Sequence, residues 1–212
     1  MNKRPIILLG GGGHCMSVIE AAESAGMSIL GILDIPATLG MEVMGHKIIG
    51  CDDDIQRYAD EADFVVTVGS IKNASVRRRL YEKVKACGGR LACVVASTAR
   101  VSTHATMGEG TVVLHHALVN AGAQIGKNCI INSFADIEHG CSVGNHTHVS
   151  THAAVNGDCS IGHEVFIGSG SVLHQGCQIA DKCVVAAGSV VRKHITTGGL
   201  YAGNPAIFKH SL

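Results

Sequence analysis

The sequence predicts two domains, a Rossmann-like α/β unit followed by a parallel β-helix solenoid. Two observations lead to this prediction. An apolar residue stands at every sixth position from Val101 to Val191, and the first ninety-odd residues alternate apolar strand segments with helical segments. A period of six fits neither the repeat of an α-helix nor the simple alternation of a strand. It is typical of a solenoid built from short repeats.

The N-terminal elements follow from hydrophobicity and from the positions of glycines. Apolar runs predict strands over residues 5–9, 28–33, 64–68 and 91–95, and a shorter strand over 47–49. Helices are predicted over 14–25, 52–58 and 74–86, and glycines follow the first and the last of them. The alternation indicates a parallel sheet with helices packed on it, forming a domain over residues 1–97.

The solenoid is predicted over residues 98–194, as five coils of three hexads each. The apolar residue of each hexad fills a corner of the lumen, and a small residue four positions later fits beside it. Glycine recurs once per coil at Gly108, Gly126, Gly144 and Gly162, where a repeated turn favours a residue free of Cβ constraints. Residues 195–212 form a tail outside the register. The inward series is Val101, Met107, Val113, Val119, Ile125, Ile131, Ile137, Val143, Val149, Val155, Ile161, Ile167, Leu173, Ile179, Val185 and Val191.

Composition excludes several classes of function. The formal net charge is zero and no basic or acidic block occurs, so we expect no nucleic-acid partner. The hydrophobic fraction is 46% with only 3% aromatic residues, which suits a narrow aliphatic lumen. The apolar run over 5–9 is too short to span a bilayer and lacks the features of a signal peptide. We therefore expect a cytoplasmic protein without membrane insertion.

The nine cysteines do not follow a disulfide or metal-binding pattern. No C-x-x-C pair occurs, and five cysteines occupy the small-residue position of a hexad, where a buried thiol behaves as a compact apolar group. These five are Cys129, Cys141, Cys159, Cys177 and Cys183, and the other four lie in the N-terminal domain. We therefore expect free thiols and no bound metal.

A run of glycines connects the first predicted strand to the first predicted helix. Gly11, Gly12 and Gly13 with His14 stand where bare backbone N–H groups and the positive end of a helix dipole meet, which suits a phosphate. Asp34 ends the next strand, where a Rossmann-like unit contacts a ribose or base. The pattern is not a full G-x-G-x-x-G, so a tight turn without a ligand is the alternative.

Histidines are frequent on the predicted solenoid, and an apolar lumen cannot accommodate them. His139 follows the inward Ile137 by two residues and therefore points outward, with Glu138 beside it. A neutral imidazole in this position can accept a proton from an attacking amine or hydroxyl. A solvated surface role is the alternative for any single outward histidine.

Several segments together resemble the hexapeptide-repeat acyltransferases, whose solenoid is left-handed. They are Ile137-Glu138-His139-Gly140, His148-Val149-Ser150, Asn156-Gly157-Asp158 and Ala202-Gly203-Asn204-Pro205-Ala206. They are most similar to the branch that contains sialic acid O-acetyltransferases and nucleotide-amino-sugar N-acetyltransferases. The resemblance covers nearly the whole chain, because that branch also begins with a small nucleotide-binding domain.

The resemblance implies an acetyl-CoA-dependent sugar acetyltransferase that works as a homotrimer without a metal. His139 would be the general base, with Glu138 beside it. The implied nucleotide-sugar contacts are Gly11, Gly12, Gly13, His14, Asp34 and His148. Arg77 at the front of the third helix is a further candidate, with a solvated helix residue as the favoured alternative. The implied coenzyme A contacts are Gly157, Ser169, Ala187, Gly188, Asn204 and Pro205.

The acetyl acceptor and the class of protein both remain open at this point. His14, Asp34 and His148 favour the amine of a nucleotide-linked 4-amino-4,6-dideoxy sugar of bacterial surface glycan synthesis. A hydroxyl of sialic acid or a related nonulosonic acid is favoured by Glu138-His139-Gly140 and by the turn Asn156-Gly157-Asp158. Ile35, which stands where amino-sugar enzymes often have an acidic residue, favours it as well. A non-catalytic solenoid, such as an assembly scaffold, is a different class of protein, but it would not need a nucleotide-type N-terminal domain. γ-Class carbonic anhydrases share the solenoid, but they need two zinc-binding histidines five residues apart, and none occur here.

Overall fold

The computed structural model describes residues 4–71 and 73–212. The N-terminal domain is built on a five-stranded sheet, here called sheet A, of order β3-β4-β2-β1-β5. Its strands are β1 (Ile6–Leu9), β2 (Ile29–Asp34), β3 (Glu42–Val43), β4 (His46–Cys51) and β5 (Asp63–Val66). Its helices are α1 (Gly13–Ser24), α2 (Ile55–Tyr58) and α3 (Ser75–Ala86), with short 3-10 turns at Pro36–Thr38 and Asp52–Asp54.

Sheet A is parallel apart from β3, which forms an antiparallel hairpin with β4. The prediction of a Rossmann-like unit is confirmed. β3 was not predicted, because two residues carry no recognisable periodicity. The segment predicted as a strand over 91–95 is divided between the domains. Leu91 bridges to Phe64 of sheet A, whereas the strand that follows joins the solenoid.

The solenoid consists of three parallel sheets of two- or three-residue strands, wound left-handed. Sheet B contains β6 (Val94–Val95), β9 (Val112–Val113), β12 (Ile130–Ile131), β15 (His148–Val149), β18 (Phe166–Ile167) and β21 (Cys183–Val185). Sheet C contains β7 (Arg100–Val101), β10 (Leu118–Val119), β13 (Asp136–Ile137), β16 (Ala154–Val155), β19 (Val172–Leu173) and β22 (Val190–Val191). Sheet D contains β8 (Thr106–Met107), β11 (Gln124–Ile125), β14 (Ser142–Val143), β17 (Ser160–Ile161) and β20 (Gln178–Ile179).

The lumen confirms the six-residue register. Fourteen of the sixteen predicted apolar residues are buried in one continuous core, and Val101 and Met107 of the first coil pack against it partly exposed. The five cysteines of the small-residue positions are buried in the same core, and each thiol is free. Each strand pairs in register with the strand 18 residues later, as Ile137 does with Val155. Aliphatic columns therefore run along the solenoid axis.

The corners show a second six-residue period that the sequence does not reveal. Every sixth residue from Gly110 to Gly188 has a left-handed backbone, with φ between 53° and 75°. Glycine accounts for only part of this series, which also includes His116, Asn128 and Lys182. Such a conformation is uncommon for residues with a Cβ. It is imposed here by the repeated corner of the coil.

The glycine column predicted from the 18-residue repeat has a different physical basis. Gly108 and Gly144 do not have positive φ, so freedom of backbone conformation is not the reason for them. A Cβ on Gly108 would lie 2.7 Å from the carbonyl carbon of Gly126, and one on Gly144 would meet Gly162 in the same way. Glycine is therefore required because successive coils approach too closely for a side chain.

The N-terminal domain packs on the outer face of sheet B. Val112, Leu114 and Ile130 point outward there and share a core with Val18 and Ile19 of α1. The tail returns as a hairpin of β23 (Gly199–Ala202) and β24 (Ile207–His210), which extends sheet B beyond β21. None of the helices over residues 4–71 and 73–212 has the length and apolar character needed to cross a membrane.

Replacing Ala153 by Leu should destabilise the protein by roughly 1–3 kcal/mol or more, because Ala153 is fully buried beside the aliphatic columns. Chemical denaturation measures the change. The matched control is Ser160→Leu, which adds a similar volume on the exposed face of sheet D. Equal effects of the two substitutions would show that the lumen is not tightly packed.

Candidate active site

The glycine loop leaves the amino end of α1 open to solvent. Gly12 precedes the helix without a side-chain cap, and Gly12 and Gly13 are exposed, with no atom within 4 Å of a Cβ built on either. Gly11 is closer to the sheet, and its N–H donates a hydrogen bond to Asp34 Oδ2 over 3.1 Å. The loop therefore presents free N–H groups and room for an anionic group.

Asp34 ends β2 beside a small cavity of about 220 Å³. One of its carboxylate oxygens holds the glycine loop, and the side chain remains half-exposed. The cavity is also lined by Ile35 and by Arg79 and Lys83 of α3. This arrangement can accept a polar ring next to the glycine loop.

His14 is the second residue of α1 and faces the solenoid. Burial, together with the charge of Arg77 and the neighbouring His148, lowers the pKa of His14 to about 3. The centroids of the His14 and His148 rings are 6.3 Å apart. The buried His14 Nε2 has no hydrogen-bond partner among the described residues. A neutral imidazole with an unpartnered but buried nitrogen thus lies beside the glycine loop, against the solenoid.

His148 lies in β15 of sheet B and joins the two domains. Its Nδ1–H donates to the Ser70 carbonyl over 2.8 Å, so its Nε2 accepts from the Asn132 amide at 3.1 Å. Burial lowers the pKa of His148 to about 4. Phe166 packs edge-on against the ring. His148 is therefore neutral, with both nitrogens engaged, and adjoins His14.

Arg77 lies buried between the two domains and not at the surface where it was predicted. Its side chain is fully buried, so it is neither a substrate contact at the surface nor a solvated helix residue. The guanidinium donates to the carbonyls of Asn128 and Cys129 in the solenoid and of Val66 and Val68 at the end of β5. Burial lowers its pKa to about 10. Arg77 holds the two domains together, and no accessible surface of it remains for a ligand.

His139 is exposed at the corner between sheets C and D, on the third coil. Its ring lies over Gly157 of the next coil, where a Cβ would approach the imidazole Nε2 to 2.6 Å. The nearest carboxylate to the ring is that of Asp158, with 3.9 Å between His139 Nδ1 and Asp158 Oδ1. Gly157, expected as a coenzyme contact, thus makes room for the imidazole.

Glu138 does not contact the imidazole. Its Oε2 accepts hydrogen bonds from the Asn120 amide at 2.8 Å and from the His139 backbone N–H at 3.1 Å. These bonds hold the pKa of Glu138 below its usual range. The carboxylate therefore fixes the backbone that carries His139.

The other expected coenzyme contacts lie on a different corner of the coil. Ser169, Ala187 and Gly188 are exposed between sheets B and C, and Ser169 and Ala187 line an apolar cavity of about 780 Å³. Asn204 and Pro205 are exposed at the turn of the C-terminal hairpin. Within one chain, sheet C separates these residues from His139.

The histidines of the solenoid do not assemble into a metal site. His146, His148 and His152 lie respectively at a corner, within sheet B and at the next corner. Over residues 4–71 and 73–212, no three or more His, Cys, Asp or Glu side chains are grouped so as to hold a metal ion.

Comparison with known proteins identifies both halves of the chain. Residues 5–84 match the family described as the PglD N-terminal domain, and residues 158–193 match the bacterial transferase hexapeptide (six repeats) family. No curated protein sequence matches the chain. The acetyltransferase domain of PglB from Neisseria gonorrhoeae is 32% identical, with a TM-score of 0.90 over 98% of this chain and 100% of that one. A structure of the same domain contains acetyl coenzyme A.

A second relative was determined with coenzyme A and a nucleotide-linked sugar. PerB from Caulobacter crescentus, in complex with CoA and GDP-perosamine, is 28% identical, with a TM-score of 0.90 over 97% of each chain. Fold and similarity together define a hexapeptide transferase with an added Rossmann-like domain. The chain belongs to the hexapeptide-repeat acetyltransferases, in the branch of nucleotide-amino-sugar N-acetyltransferases and sialic acid O-acetyltransferases. It is an acetyl-CoA-dependent sugar acetyltransferase.

The free energy of unfolding should decrease as the pH falls from about 6.5 towards 4. Folding lowers the pKa values of His14 and His148, so the unfolded chain binds more protons in this window and acid favours it. Each histidine should contribute about 1 kcal/mol per pH unit. Urea denaturation between about pH 7 and pH 5 measures the slope. His148→Asn should reduce it, and the exposed control His104→Asn should not. An unchanged slope in His148→Asn would contradict the conclusion that buried, neutral His148 contributes to the pH dependence of stability.

Proposed function

We propose that the enzyme transfers the acetyl group of acetyl-CoA to the amine of a nucleotide-linked 4-amino-4,6-dideoxy sugar, in bacterial surface glycan synthesis. The observation on which this rests is the exposed His139 imidazole, seated over Gly157 with its nearest carboxylate 3.9 Å away. The likeness to PerB, determined with GDP-perosamine, supports the acceptor class. Acetyl-CoA is supplied in the cytoplasm, where we locate the reaction.

The nucleotide sugar would bind along the N-terminal domain. Its diphosphate would lie against the exposed N–H groups of Gly12 and Gly13, where the α1 dipole favours negative charge. Asp34 and the adjoining cavity would hold the ribose or base. His14 follows these N–H groups, and its unpartnered Nε2 is buried, so it would contact a polar group of the sugar only once the surrounding side chains move apart. The neutral His148 beside it would position the acceptor indirectly, through the interface that it stabilises.

Transfer would be direct. His139 accepts a proton from the amine as its nitrogen attacks the thioester carbonyl, giving a tetrahedral oxyanion that a backbone N–H stabilises. Collapse breaks the carbon–sulfur bond and forms the amide. The departing thiolate of coenzyme A takes up the proton from the His139 imidazolium. No covalent acyl-enzyme is needed, because His139 acts as a base and not as a nucleophile.

The complete site would require neighbouring subunits in a homotrimer. The outer face of sheet C carries half-buried Leu118, Ala154, Val172 and Val190, whereas sheet D carries only polar residues in the equivalent positions. An apolar strand face of this kind favours contact with another surface. Asp136 in its middle has a buried Oδ1 without a partner among the described residues. A contact across sheet C would bring His139 of one subunit to the coenzyme groove that it shares with another.

The alternative acceptor is a hydroxyl of sialic acid or a related nonulosonic acid. It is favoured by Gly140 directly after His139 and by the exposed apolar Ile35 directly after Asp34. Coenzyme A release measured with nucleotide-linked 4-amino sugars and with free sialic acids separates the two. Turnover of sialic acid without turnover of any nucleotide sugar would establish the alternative.

His139→Ala should reduce turnover by roughly a hundredfold to ten-thousandfold, the usual effect of a positioned acid–base group. Folding and coenzyme binding should persist, because the side chain is exposed. Coenzyme A release measures turnover, and calorimetry measures binding. His148→Ala should reduce turnover less. The control His104→Ala removes an exposed imidazole two coils earlier and should have no effect. Near-normal turnover of His139→Ala would refute the proposed base.

Light scattering should show a trimer at micromolar concentration. Val172→Asp places a charge on the apolar face of sheet C and should shift the protein towards a monomer with an unchanged circular dichroism spectrum and little activity. The matched control Gln124→Asp, on the exposed face of sheet D, should leave the trimer intact. A monomeric wild-type protein with full activity would contradict the shared site.

A further inference from the structure

We propose that Asp158, supplied by the next coil, is the positioning carboxylate of His139. The inference rests on the proposed role of His139 as general base. The amino-sugar enzymes that the sequence resembles commonly have a Glu directly after the catalytic histidine, and this chain has Gly140. The missing side chain leaves a space beside the imidazole, and the structure assigns that space to the Asp158 carboxylate.

The position of Asp158 in the repeat is unusual. It belongs to the left-handed column of the corner between sheets C and D, whose four members are Gly122, Gly140, Asp158 and Gly176, with φ between 60° and 75°. Glycine adopts this backbone without steric penalty, and three of the four positions use it. Asp158 is the one member of the column with a side chain. The left-handed backbone of the corner therefore does not explain why this position carries a carboxylate.

The side chain occupies the place that a residue at position 140 would fill. A Cβ built on Gly140 would collide with Asp158 Oδ1. The same Oδ1 is 3.9 Å from His139 Nδ1, and the Asp158 backbone N–H donates to the His139 carbonyl over 2.9 Å. Backbone and side chain of Asp158 thus both face His139. Gly140 and Asp158 are a complementary pair, since a side chain at one position excludes the other.

The second nearby carboxylate does not face the ring. Glu138 uses its Oε2 for the Asn120 amide and for the His139 backbone N–H. Asp158 and Glu138 are the two charged groups beside His139 on its own coil and the next. Of these two, only Asp158 is directed at an imidazole nitrogen.

A carboxylate near Nδ1 has a definite chemical effect. It favours the tautomer with the proton on Nδ1, so that Nε2 presents its lone pair to the acceptor amine. It also stabilises the imidazolium that forms when the proton is taken up. At 3.9 Å the contact is longer than a hydrogen bond, and such contacts commonly shorten when substrates are bound.

The first test removes the carboxylate. Asp158→Asn and Asp158→Gly should lower kcat by roughly tenfold to a hundredfold, with little change in the KM for acetyl-CoA. The ascending limb of the pH–kcat profile should move to lower pH, because the imidazolium loses its stabilising charge. Asp158→Gly should fold at least as well as wild type, since glycine suits this backbone. The control Asp181→Asn, an exposed carboxylate on the fifth coil, should leave kcat and the profile unchanged.

The second test returns a carboxylate from the other position. In the Asp158→Gly background, Gly140→Glu should raise kcat at least tenfold and return the ascending limb of the pH–kcat profile towards its wild-type position. Gly140→Gln, which has the same shape without the charge, should not. Gly122→Glu in that background carries the same substitution one coil earlier and should not restore activity either.

Distinct outcomes separate this inference from the proposed function. Wild-type kcat and pH profile in Asp158→Asn, together with an inactive His139→Ala, would overturn the role of Asp158 alone. A lowered kcat with an unmoved pH limb and no rescue by Gly140→Glu would show a structural role and would also overturn it. Full activity of His139→Ala would remove the proposed general base and this inference with it.

Discussion

The close stacking of successive coils is the constraint on which the rest of the structure depends. Strands pair in register with those 18 residues later, so a residue acquires neighbours that are fixed by the repeat and not by local sequence. The close approach of successive coils accounts for the aliphatic columns, for the small-residue positions and for the glycines without space for a Cβ. The same constraint forms the site, because it sets the His139 ring on Gly157 and brings Asp158 over Gly140.

The domain interface adds a second, electrostatic constraint. Arg77 carries a buried positive charge that is solvated only by backbone carbonyls of both domains. Its charge lowers the pKa of His14 and His148 nearby, in addition to the effect of burial. His14 and His148 at the junction are therefore neutral, and Arg77 is its one buried charge among the described residues.

The register of the lumen was predictable to the residue because it repeats with a strict period, whereas the boundary between the domains was not. The site was predictable only in part. The glycine loop, Asp34 and His139 are accessible to solvent, as the strand, helix and hexad patterns around them predict. Arg77 was misjudged, since nothing in an exposed-looking helix sequence shows that a solenoid covers it. Asp158 was overlooked as a partner of His139, because the two residues are 19 apart and meet only through the coil repeat.

The left-handed corner positions make the outer surface of the coil unusually open to change. Every sixth residue from Gly110 to Gly188 has the same backbone, whatever its side chain, and Gly, His, Phe, Asp, Glu and Lys all occur there. These side chains leave the lumen undisturbed, so the chemistry of an edge can diverge one coil at a time while the scaffold is conserved. The solenoid therefore accommodates chemically different side chains along one edge without a change in the lumen.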